Sequence, residues 1–86
     1  MHYKELNDII LVLLDSIKSS ISIDLYESNK QYVTVGEPGV AFENICSYID
    51  DNNLNLSKET YDKIVVAGLA MEMGPEEWSF LEKHVI

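Results

Sequence analysis

The chain has 86 residues and sets fifteen Asp and Glu against six Lys and no Arg, a formal net charge of −9. Its length allows a single domain, residues 1–86, and its acid excess argues against a nucleic-acid ligand, because phosphate binding needs Lys and Arg to displace counterions. Apolar residues make up 47% of it and its mean hydropathy is −0.04, so it can build a core and is not a disordered acidic tail.

Leu6, Ile9, Ile10, Leu13, Leu14 and Ile17 recur at three- and four-residue steps and predict a first helix over about residues 4–18. Leu11 and Val12 widen its stripe, which implies cover on more than one side. Ser19-Ser20 break the pattern. Residues 21–35 read two ways: Ser22 can cap a short second helix followed by an extended segment around residues 31–35, or the alternating residues form a small β-hairpin. The first reading is favoured. Gly36-Glu37-Pro38-Gly39 punctuates the chain and starts a third helix, about 38–51, with Ala41, Phe42, Ile45, Cys46 and Ile49 inward. Glu43, Asn44, Ser47, Asp50 and Asp51 fall mainly on its other side. Ser57 caps a fourth helix whose buried stripe is Tyr61, Ile64, Val65, Gly68 and Leu69. Gly74-Pro75 ends it, and Trp78, Leu81 and Val85 line a last short helix. The expected fold is all-α, a compact bundle of four to five short helices.

No catalytic constellation is visible. His2 and His84 read as surface residues. Cys46, the one cysteine, sits on an apolar stripe and reads as buried and inert. A lone cysteine precludes an internal disulfide and leaves a structural zinc site short of ligands, which makes the cytoplasm the expected compartment. The run Ile9 to Leu14 is too short to span a bilayer, and no small-residue cleavage pattern follows it. The glycines are not spaced as a phosphate loop, and no metal or cofactor is expected. Gly68 within its helix suggests close approach by a neighbour.

The acids are the informative residues. Glu76-Glu77 at a helix start need no further explanation, whereas Asp50-Asp51 at a helix end oppose the macrodipole, which adds a binding role beside their commoner reading as a solvated face. Tyr26, Tyr32 and Tyr48 are candidate interface anchors, and Trp78 reads as core packing.

The stretch Gly36-Glu37-Pro38-Gly39-Val40-Ala41-Phe42-Glu43-Asn44-Ile45-Cys46 resembles a recurring segment of small MafI-family immunity proteins, of the kind found in contact-dependent growth inhibition and polymorphic toxin systems. Leu54 to Tyr61 looks like their second recurring piece, a Ser-capped helix with an aromatic near its start. Met71 and Met73 fall where such sequences often place methionines. The resemblance covers about the C-terminal half and rests mostly on fold-forming residues. It implies a cytoplasmic antitoxin that binds the C-terminal domain of a cognate toxin 1:1, often a cationic ribonuclease such as an EndoU-type nuclease. The charge agrees independently: an acidic inhibitor can occupy a cationic cleft. The expected contacts are Glu43, Asp50, Asp51, Asp24 and Glu27 as cation partners, with Tyr26 and Tyr48 as anchors.

Two other functions fit the composition. One is an acidic helical adaptor with a different partner. The other is a carrier protein, since Asp15-Ser16-Ile17 is superficially similar to a prosthetic-group motif, although it lies inside the first helix rather than at a helix start.

Overall fold

The computed structural model describes residues 3–86. Four α-helices run in order, α1 (Tyr3–Ser16), α2 (Ile23–Thr34), α3 (Pro38–Asp51) and α4 (Lys58–Ala70). A 3₁₀ turn, Lys18–Ser20, separates α1 from α2, and two more, Pro75–Glu77 and Ser79–His84, finish the chain. The described residues contain no strand, and no helix among them is long and apolar enough to cross a membrane.

Local chemistry sets the boundaries. Ser22 Oγ accepts from the Leu25 N–H at 3.1 Å, and Ser57 Oγ accepts from the Thr60 N–H at 3.1 Å, so both helices that follow a serine are capped by it. Pro38 opens α3 at a position where its missing N–H has no cost. The C-termini of α2, α3 and α4 all close by the same paired backbone bonds. In α2, the Glu37 N–H reaches Tyr32 O at 2.7 Å and the Gly36 N–H reaches Val33 O at 3.1 Å. In α3 and α4 the equivalent closures run from Leu54 to Ile49 and from Met73 to Gly68, both at 3.0 Å. The motif requires a left-handed residue just past each helix. Gly36 (φ 85°), Asn53 (φ 50°) and Glu72 (φ 58°) supply it, and only Glu72 has neither glycine's freedom nor asparagine's tolerance.

The extended segment expected around residues 31–35 is absent. α2 continues to Thr34 as helix, turning Tyr26, Asn29 and Val33 inward. Helical spacing is present, but its middle member is polar. Asn29 is fully buried: its Nδ2 donates to Leu25 O at 2.9 Å, and its Oδ1 accepts from Asn44 Nδ2 at 3.2 Å. Asn44 is therefore turned toward α2, not out to solvent with Glu43. The last short helix is a 3₁₀ run, Ser79–His84, with Leu81 buried within it and Trp78 buried at its start.

α1 packs on α2, α3 and α4, and α3 also packs on the C-terminal 3₁₀ run. Ile10, Leu13, Leu14, Phe42, Ile45, Ile49, Ile64 and Leu81 fill the centre. Of the expected stripe of α4, Ile64 and Gly68 are buried and Tyr61 and Val65 half-buried; Ala67 is buried as well, whereas Leu69 is 60% exposed. Val12, expected to be covered, is 54% exposed. The chain end is tied down by backbone bonds on both sides of Leu56, from its N–H to His84 O at 2.8 Å and from the Ile86 N–H to its carbonyl at 2.9 Å.

Gly68 faces the ring of Trp78, and a Cβ built there would overlap two ring carbons. Helix propensity alone favours Gly68→Ala by about 1 kcal/mol. The collision wins, because Trp78 is nearly fully buried and cannot swing aside. Gly68→Ala should therefore destabilise the fold by about 1–2 kcal/mol in urea unfolding. Glu72→Gly, which relieves a left-handed backbone without touching the core, should stabilise it by about 1 kcal/mol in the same assay.

Candidate functional site

Glu43, Ser47 and Asp50 form a polar stripe on α3 at one-turn spacing, with a carboxylate at each end. This stripe faces the C-terminal segment, and the seam between the two has two different ends.

At one end, Asp50 is held from inside the molecule. Its Oδ1 lies 3.0 Å from His84 Nε2 and 3.2 Å from Lys83 Nζ. An ionised carboxylate only accepts, so Nε2 carries the hydrogen in this contact. His84 is 5% exposed, which corrects the expected surface histidine. His2 lies outside the described residues. The hydrogen bond from His84, and after it that from Lys83, hold the Asp50 carboxyl below its usual range. Its opposition to the α3 macrodipole is thus met by two donors from the same chain. Asp50 therefore needs no partner to offset that opposition.

At the other end, Glu43, Ser47, Glu77 and Phe80 surround a cleft with Cys46 beneath. Glu43 and Glu77 are exposed, and neither carboxylate enters an ion pair among the described residues. Phe80 is 39% exposed, an aromatic left at the edge of an anionic hollow. Cys46 is 2% exposed. Burial first, then the Glu77 and Glu43 carboxylates, push its thiol up to about 12. It stays protonated at neutral pH and offers no nucleophile. The cleft has the chemistry to hold a cationic side chain: two carboxylates for its charge and an aromatic ring beside them.

The other expected contacts are dispersed. α2 and α3 form a hairpin pinned by Asn29 and Asn44, which brings the start of α2 beside the end of α3. Asp24 and Asp51 are exposed at that end and Tyr48 is half-buried there. Glu27 is exposed on α2. Tyr26 is not an exposed anchor. It is 7% exposed, its hydroxyl donates to Asp15 Oδ1 at 2.6 Å, and Lys18 and Lys30 lie 4.8 and 5.8 Å from its ring centre. That hydrogen bond, with burial and the neighbouring Asp15 and Glu27 charges, pushes the phenol above its ordinary value. Tyr26 fastens α2 to the end of α1. Ser16, the serine of the carrier-like triplet, ends α1 with its hydroxyl donating to Val12 O at 2.8 Å.

Glu77 and Phe80 were not identified as site residues from sequence. Glu77 is fully explained locally by its 3₁₀ start, and nothing in linear spacing places it opposite Glu43. Among the described residues no group of three His, Cys, Asp or Glu is placed to hold a metal ion. Comparison with family models, with curated proteins and with solved structures finds no match to this chain. The resemblance over residues 36–73 stands on those residues alone.

The Asp50 contact has a pH signature. A carboxylate whose folded value is depressed contributes stability above its unfolded value, about 3.9, and loses it as pH falls through the folded one. At pH 5, Asp50→Asn should melt below the wild type. The gap between them should close as pH is lowered from about 4 to 2, in thermal unfolding followed by circular dichroism.

Proposed function

We propose that this chain is an immunity protein, which binds and neutralises the C-terminal domain of a cognate toxin by covering an electropositive surface. The open end of the α3 seam carries this reading. Glu43 and Glu77 flank a partly exposed aromatic ring, Phe80, without a counter-ion among the described residues, on a chain of net charge −9. A partner's Arg or Lys entering there would meet two carboxylates over a neutral, largely dry floor, where charge pairs are stronger than in bulk water. Asp24, Asp51 and Glu27 extend the negative field beyond the cleft.

The resemblance of residues 36–73 to small immunity proteins supports a toxin as the partner, and the charge supports a cationic ribonuclease among toxins. A ribonuclease cleft must attract phosphate, so an acidic protein can occupy it by imitating its substrate's charge. Such complementarity raises the association rate, up to about 10⁸–10⁹ M⁻¹s⁻¹ at low salt. Speed suits an antidote, because a catalytic toxin acts until it is captured.

The test uses the C-terminal domain of the protein encoded by the reading frame next to this chain's, as the candidate toxin. Co-expression should rescue growth, and stopped-flow association should slow steeply with added salt. Glu43→Lys with Glu77→Lys should slow association by about tenfold or more at low salt and flatten its salt dependence, with the melting temperature little changed. Unchanged association by the double variant would remove the cleft from the interface. Failure of the wild type to rescue would remove the toxin.

A further inference from the structure

We infer that the face shared by α1 and α4 docks a second copy of this chain. Here the two helices run side by side and leave an apolar hollow floored by Ile9, Val12 and Val66, with charged residues at its rim. Val12 is 54% exposed and Val66 53%, and Leu69, one turn beyond Val66, is 60% exposed. Side chains of this kind gain from cover that the monomer does not give them.

Charge selects the occupant. Three of the six lysines lie on this face, each in an ion pair one turn away: Lys4 with Asp8 at 3.2 Å, Lys58 with Asp62 at 3.3 Å and Lys63 with Glu59 at 3.5 Å. Glu5 adds one further acid on α1. Eight of the nine net negative charges therefore lie elsewhere on the molecule. The rest of the surface carries that net negative charge into any approach of two copies through it. Through this face they meet an almost neutral, apolar strip whose rim carries both signs, the same patch on each copy as a two-fold pair requires. A cationic partner finds little to attract it here, so this face and the Glu43–Glu77 cleft differ in what they can hold. The total accessible surface is 5052 Å², so a standard interface of about 800 Å² per partner would take about a sixth of it.

The salt response separates this contact from toxin binding. Screening weakens the repulsion between the acidic remainders while leaving apolar contact intact, so dimerisation should tighten as salt rises. Association of opposite charges does the reverse. Sedimentation equilibrium of the full chain at about 10–500 µM should show a monomer–dimer equilibrium that tightens between about 20 and 500 mM NaCl. Val66→Glu should shift it to monomer by at least tenfold in Kd, with circular dichroism and melting temperature close to wild type because Val66 is exposed. Val12→Glu should do the same from α1. A wild type that stays monomeric at about 500 µM, a dimer indifferent to both variants, or a dimer that loosens with salt would each overturn the inference. None of these results bears on rescue by co-expression.

Discussion

Six lysines cannot neutralise fifteen acids, and where the fold engages those six decides what the surface can do. Lys4, Lys58 and Lys63 pair within their own helices. Lys18 and Lys30 lie over the Tyr26 ring, and Lys83 reaches Asp50. The open end of the α3 seam therefore faces solvent with its carboxylates alone. Surface pairs of this kind contribute little to stability, about 0–1 kcal/mol each. Their larger effect is on the distribution of charge, leaving one face nearly neutral and another strongly negative. The fold itself rests on apolar packing around α1 and on the backbone closures at the ends of α2, α3 and α4.

Much of this architecture was legible from residue spacing. α1, α3 and α4, the Ser57 cap, Pro38 at a helix start and the close approach at Gly68 each follow from local chemistry within about one turn of the residues that signal them. α2 was only half legible. Its buried stripe passes through Asn29, and a polar residue at a core position removes the apolar recurrence by which a helix is recognised. What made Asn29 acceptable there is Asn44, fifteen residues away. The same limit hid the candidate site. Glu43 was read as a contact from its place on α3, but its opposition to Glu77, and the capture of Asp50 by His84 across 34 residues, depend on how the C-terminal segment packs. Periodicity says which side of a helix is wet. It does not say which distant segment lies on the dry side, or what that segment brings with it.

Asp50 shows how one sound rule can admit two explanations. Two acids at the negative end of a helix are unfavourable, and an unfavourable arrangement invites an explanation. A partner protein was one explanation, and donors from the chain's own end are another. The second operates for Asp50, while Asp51 beside it stays exposed. The contact also has a positional effect. It ties Lys83 and His84, in the 3₁₀ run that also carries Phe80, to the end of α3.

Electrostatic recognition works best when the charged groups are already in place, since no ordering is then needed on binding. Beneath the Glu43–Glu77 cleft lies Cys46, buried, protonated and small, on a helix packed against α1 and α2. Its side chain brings no charge that would offset the two carboxylates, and the helix beneath them cannot easily yield. The Trp78 ring, seated against Gly68, anchors the other wall between the two C-terminal 3₁₀ turns. A larger residue at Gly68 would therefore act on the cleft as well as on stability, because the wall bearing Glu77 and Phe80 is joined to the core through that ring. Packing around one glycine and the placement of two surface acids are, in this fold, parts of one arrangement.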